Sequence, residues 1–176
     1  MNTFLFTTFF AAISFRIASM IISIINERRL LSLGAREFDQ RNSRRLIFLH
    51  LLFYIVCAFD GWYTGHFLET NIGLAGLCLY CFSIIALYYV IYTLGHIWTV
   101  KLIIAPEYLH HLNTGRFFRF FRHPNYYLSV IPELIAIAMI FHAYWSFLAV
   151  FPLYMATLIT RIRREENVMK QFFPNY

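Results

Sequence analysis

Along most of this chain the apolar positions run together instead of alternating with polar ones. Between short polar segments the hydrophobic residues surround the helix axis rather than forming one stripe. That is the pattern of helices in lipid, not of helices laid on a soluble core. The first run covers about Phe4–Ile25, the second Leu46–Phe67 and the third Ile72–Leu94. From Leu128 to Thr160 the only acidic, basic or imidazole side chains are Glu133 and His142. This run is too long for one crossing of a hydrocarbon layer about 30 Å thick. His142-Ala143-Tyr144-Trp145 supplies a turn, so the run divides into helices at about 128–142 and 144–160. Both are expected to be short, and Pro132 and Pro152 to bend them. The pattern predicts an all-α polytopic membrane protein with about five transmembrane helices, forming a single domain over residues 1–176.

Composition agrees. The chain is 60% hydrophobic and 14% charged, against about 45–50% and about 25% for soluble domains. Its net charge of +6 reads as topology rather than as a nucleic-acid footprint, because the basic residues lie between apolar runs. The segments 26–45, 95–125 and 161–176 hold all but Arg16 of the 15 lysines and arginines, and the opposite loops hold Asp60 and Glu69. The positive-inside rule then places the N-terminus outside and the C-terminus in the cytoplasm. The first apolar run lacks the basic lead and the small-residue cleavage site of a signal peptide. Cys57, Cys78 and Cys81 lie within apolar runs. Without a second cysteine pair or a histidine cluster, Cys78-x-x-Cys81 reads as two small apolar residues one helical turn apart.

Arg16 stands in the middle of the first apolar run. It either snorkels or pairs, and an intramembrane charge is normally paired. Glu133 is the expected partner, in a structural rather than a chemical role.

The chemistry-bearing residues gather at the basic end. Gly115–Arg122 is an aromatic and basic stretch suited to lying in the interface. Pro124 disfavours helix at His123 and ends that stretch, fixing His123 and Tyr126 at the mouth of the fourth helix. After the hairpin come Arg161 and Glu165, four apart on one helix face, with Glu166 expected to point elsewhere. An isolated pair of this kind is an ordinary helix-end ion pair. Two such clusters bracketing one hairpin suggest a cofactor pocket at the cytoplasmic helix ends.

Arg122-His123-Pro124-Asn125-Tyr126, the hairpin, and then Arg161 with Glu165-Glu166 resemble the isoprenylcysteine carboxyl methyltransferase family. Asn26–Glu37 and Leu94–Thr99 are similar to cytoplasmic loops of its small bacterial members, and the likeness runs from about Arg16 to Phe173. The resemblance implies S-adenosylmethionine as methyl donor. It implies that His123, Pro124, Asn125 and Tyr126 line the donor pocket, that His110, His111, Leu112, Asn113 and Phe118 wrap the rest, and that Glu165 closes it. Arg161 would hold the acidic group of the acceptor, with no metal involved. Some small bacterial members O-methylate long-chain alkylpyrones. The resemblance therefore implies O-methylation of a carboxylate or acidic hydroxyl on a lipophilic acceptor entering from the bilayer, in a bacterial inner membrane. An ionised acceptor needs no strong general base at neutral pH; the protein has to orient it and exclude water. Three other readings remain open: an NADPH-dependent enzyme like the membrane sterol reductases, a phospholipid N-methyltransferase, and a non-catalytic membrane adaptor.

Overall fold

A computed structural model describes residues 3–64, 70–104 and 123–172. Helix α1 spans Thr3–Ser32, strand β1 Arg36–Phe38, α2 Gln40–Thr64 and α3 Asn71–Leu94. A 3-10 turn, Gly95–Ile97, and strand β2, Leu102–Ile104, follow. A π-helical turn, Asn125–Val130, runs into α4, Ile131–Ile140, and α5 covers Tyr144–Phe172.

The body is helical, as expected, and the five helical segments correspond to the five apolar runs. Three of the described helices are long and apolar enough to cross a membrane individually: α2, α3 with its 3-10 extension, and α5. The fourth apolar segment, Asn125–Ile140, is shorter. Several ends differ from those the hydropathy pattern predicts. Helix α1 runs past Ile25 to Ser32, and α2 starts at Gln40 rather than near Leu46. Helix α5 is not short; it continues past Thr160 for a total of 29 residues. The physical reason is common to all three. Hydropathy marks where lipid ends, whereas Glu, Arg and Gln sustain a helix beyond that edge. The small antiparallel ribbon of β1 and β2 was not anticipated: Arg36 faces Ile104, Glu37 faces Ile103 and Phe38 faces Leu102. Strands of three residues are too short to display a period of two.

The turns have local causes. Gly34, at φ 91°, ends α1 in a Schellman motif. Ala35 N–H donates to Leu30 O and Gly34 N–H to Leu31 O. Leu30 and Ala35 then pack on Ile103 of the ribbon. The same motif ends α4, with His142 at φ 51°, Ala143 N–H donating to Ala138 O and His142 N–H to Met139 O. The hairpin turn expected over His142–Trp145 lies instead at Phe141–Ala143, because Tyr144 and Trp145 already belong to α5.

Helices α3 and α4 touch at backbone distance. A Cβ on Gly76 would lie 2.8 Å from Met139 Cβ and 3.0 Å from Ala136 O. The core between the helices holds Phe53, Cys57, Tyr80, Leu134, Ile137 and Leu158. All three cysteines are free; Cys57 packs in this core and Cys78 is exposed. The outside of the bundle is apolar too: Phe48, Leu51, Ile55, Phe59 and Trp62 form an exposed stripe along α2. Trp62, Tyr63 and Trp145 are exposed at one end of the bundle and Tyr92 near the other, as in the aromatic belts of membrane proteins.

Arg16 and Glu133 pair as expected. Arg16 Nε lies 3.1 Å from Glu133 Oε1, and Glu133 is fully buried. The pair has partners that hydropathy did not reveal. Tyr54 Oη donates to Glu133 Oε1 at 2.6 Å and lies 2.9 Å from Tyr80 Oη. His50 Nε2 is 3.5 Å from Glu133, and His50 Nδ1 is 3.4 Å from Tyr154 Oη.

Candidate active site

Pro124 (φ −61°, ψ −34°) takes the first position of the fourth helix, where its missing N–H costs nothing. His123 precedes it, and its carbonyl accepts from Tyr126 N–H at 3.1 Å and Tyr127 N–H at 3.2 Å. The helix begins with π geometry, shown by Ile131 N–H donating to Tyr126 O. Such bulges are rare and concentrate at functional sites. His123 and Tyr126 consequently share a face, their rings stacked with centroids 5.7 Å apart.

The far end of α5 meets this turn. Tyr126 Oη donates to Glu165 Oε2 at 2.7 Å and accepts from Arg161 Nε at 3.3 Å. His123 Nδ1 lies 3.6 Å from Glu165 Oε1, and His123 Nε2 lies 3.3 Å from Glu166 Oε1. Glu166 therefore does not point elsewhere, as expected from the helix face of Arg161. The imidazole has two nitrogens and sits between both carboxylates. Burial of His123 opposes its protonation, but hydrogen bonding and charge from Glu165 and Glu166 outweigh it, so its pKa is raised.

Arg161, with 3% of its side chain exposed, ties four segments together. Beyond Tyr126, its Nη1 donates to Ser43 Oγ at 2.7 Å and its Nη2 to Val100 O at 3.3 Å. Ser43, on the first turn of α2, is buried. The segment carrying Val100 is clamped to α1: Val100 N–H donates to Ser23 Oγ, and Asn26 Nδ2 donates to Trp98 O at 2.9 Å. Lys101 pairs with Glu27 and, at 3.6 Å, with Glu37. A hydrogen bond to Glu27 raises the pKa of Lys101.

The structure thus brings His123, Pro124, Tyr126, Arg161 and Glu165 together. His110, His111, Leu112, Asn113, Phe118 and Arg122 lie outside the described residues. The sequence reading missed Glu166 and Ser43.

Three buried polar atoms in or beside the cluster lack hydrogen-bond partners among the described residues: His123 Nδ1, Asn125 Oδ1 and Ser129 Oγ. Buried polar atoms are normally satisfied. The donor set therefore comprises free acceptors, two carboxylates and an arginine. This fits a cationic, hydrogen-bonding cofactor such as S-adenosylmethionine.

The model of the isoprenylcysteine carboxyl methyltransferase (ICMT) family matches residues 75–171, which contain both halves of this cluster. The chain belongs to the ICMT family. ICMT proteins are membrane methyltransferases, and the long apolar helices make this chain an integral membrane protein. It is 37% identical to an uncharacterized protein of Haemophilus influenzae over 97% of this chain and 98% of the relative. It is 25% identical to the uncharacterized protein YpbQ of Bacillus subtilis over 89% of this chain and 91% of the relative. No solved structure matches.

Proposed function

We propose that this ICMT protein O-methylates a carboxylate or acidic hydroxyl of a lipophilic acceptor, with S-adenosylmethionine as donor. The observation that carries this reading is the convergence of His123, Tyr126, Arg161, Glu165 and Glu166 where the α4–α5 hairpin closes. When bound, S-adenosylmethionine supplies an electrophilic methyl group on a sulfonium cation. Glu165 and the Tyr126 ring offer such a cation a carboxylate and an aromatic face. Asn125 holds a free acceptor toward the donor, and His123 and Pro124 fix the wall of its pocket. His110, His111, Leu112, Asn113 and Phe118 complete the pocket in this reading.

Arg161 orients the acceptor. A guanidinium has five N–H groups, and the described residues engage one on each of its three nitrogens. The remaining ones suit an oxyanion, and the three existing bonds hold the fork still while it binds. Neither role requires a nucleophile of the protein. The acceptor reaches the site from the bilayer. The protein sits in a bacterial inner membrane with its N-terminus outside and this site in the cytoplasm, as the basic segments direct.

Isothermal titration of the detergent-purified protein with S-adenosylhomocysteine tests the reading. Binding that is lost in His123→Ala, in protein shown to be folded, supports it. Binding of NADPH and not of S-adenosylhomocysteine refutes it.

A further inference from the structure

The polar network in the middle of the bundle carries hydrogen-bonding capacity that the protein does not use. Every partner of Glu133 converges on Oε1, and Oε2 is buried with no hydrogen-bond partner among the described residues. None of the hydrogen bonds among the described residues engages the terminal nitrogens of Arg16. A bare carboxylate oxygen in a membrane interior is costly, and neighbouring protein groups normally satisfy it. The network reaches the surface through two of its members. Arg16 and His50 keep 18% and 16% of their side chains exposed, although Glu133 keeps none.

Its register ties it to the candidate active site. On α2, Ser43 and His50 are seven residues apart. On α5, Arg161 and Tyr154 are seven apart. The fourth helix also carries a residue of each group, Tyr126 and Glu133, with the π turn between them. Seven residues return a helix to nearly the same face about 10 Å along its axis. Helices α2 and α5 therefore each present one residue to the upper cluster and one to the lower, and the fourth helix contributes Tyr126 to one and Glu133 to the other.

We propose that Arg16, His50 and Glu133 form a second polar subsite, about 10 Å below the methyl-transfer site. It binds an uncharged hydroxyl carried partway along the acceptor's chain. Arg16 and Glu133 already balance each other's charge, so a further ion would be uncompensated. A hydroxyl can donate to Glu133 Oε2 and accept from an Arg16 Nη. This subsite rests on the proposed methylation of a lipophilic acid at the upper cluster.

The test compares stearic acid, 3-hydroxystearic acid and 10-hydroxystearic acid, whose hydroxyl lies about 10 Å from the carboxyl in an extended chain. Binding to the full chain in nanodiscs is read by displacement of a fluorescent fatty acid, and methyl transfer from labelled S-adenosylmethionine is read separately. The 10-hydroxy acid should bind about tenfold tighter than the other two, as expected for a hydrogen bond to charged groups. Glu133→Gln or His50→Leu should erase that preference. Equal binding of all three acids to the wild type overturns the subsite, and so does a preference that survives in a folded variant. A position-specific preference with no methyl transfer to any of the acids would retain the subsite and count against the proposed reaction instead.

Discussion

Tyr126→Phe removes one oxygen from the centre of the candidate site and little else. That oxygen donates to Glu165 at 2.7 Å and accepts from Arg161 at 3.3 Å. A hydrogen bond to a charged group contributes about 1.5–3 kcal/mol. Part of this returns in the variant, because Arg161 Nε already lies 3.8 Å from Glu165 Oε2 and can close on it. The stack of the ring on His123 is kept, since it does not involve the hydroxyl. The net loss should be about 1–2 kcal/mol, or roughly 5- to 30-fold in an equilibrium constant. We expect S-adenosylhomocysteine affinity to fall by that factor in isothermal titration, because Glu165 and Arg161 lose the link that holds them in register. The melting temperature should fall by only a few degrees. Affinity within about twofold of wild type would show that the hydroxyl bridge does not organise the pocket. An unchanged affinity with a large loss of stability would make Tyr126 a purely structural residue.

Three further outcomes follow from the geometry. The raised pKa of His123 stabilises the folded state fully below the unfolded value of about 6.5 and progressively less as pH rises through the folded value. Thermal unfolding between about pH 6 and 9 should therefore show a loss on the alkaline side, and His123→Gln should flatten it; an unaltered profile would show that Glu165 and Glu166 do not hold the proton. Gly76→Ala should cost about 1–3 kcal/mol, because the new Cβ meets Met139 and the Ala136 carbonyl; a variant as stable as wild type in thermal unfolding would mean that α3 and α4 can part freely. In a double-mutant cycle, Arg16→Met and Glu133→Gln should each destabilise more than half as much as the pair together, with a coupling of about 0.5–3 kcal/mol; additive losses would deny the ion pair.

What the sequence made legible, and what it did not, divides along physical lines. The apolar runs marked five helical segments, because lipid demands continuous apolar surface. A turn near His142 was visible because its imidazole interrupts a run with almost no other charge-bearing side chain, but Tyr144 and Trp145, read as part of it, begin α5. Arg16 and Glu133 could be matched because an intramembrane charge needs a partner. His123, Tyr126, Arg161 and Glu165 could be matched because both ends of a hairpin must meet. Glu166 was misplaced because a helix-face argument considers one partner at a time, whereas each nitrogen of His123 faces a carboxylate. His50, Tyr54, Tyr80 and Tyr154 were invisible for a different reason: in an apolar run, aromatic residues and a histidine look the same whether they face lipid or a buried carboxylate. Only the packing of α2 against α4 and α5 reveals which they do. The ribbon of Arg36–Phe38 with Leu102–Ile104 depends on pairing across more than sixty residues, which no local pattern records.

Helix α5 is unbroken from Tyr144 to Phe172, and that continuity restricts how such a chain can change in length. Inserting one residue between Phe151 and Thr160 would turn Arg161, Glu165 and Glu166 by about 100° and carry them about 1.5 Å further out. The carboxylates would swing away from His123 and Tyr126 without any change in their chemistry. Seven inserted residues would nearly restore the angle but displace the cluster by about 10.5 Å. No single insertion in that interval preserves both angle and depth. Homologous chains that keep this chemistry should vary in length at the ends of the helix or in the loops, and hold the count from the hairpin turn to Arg161 constant.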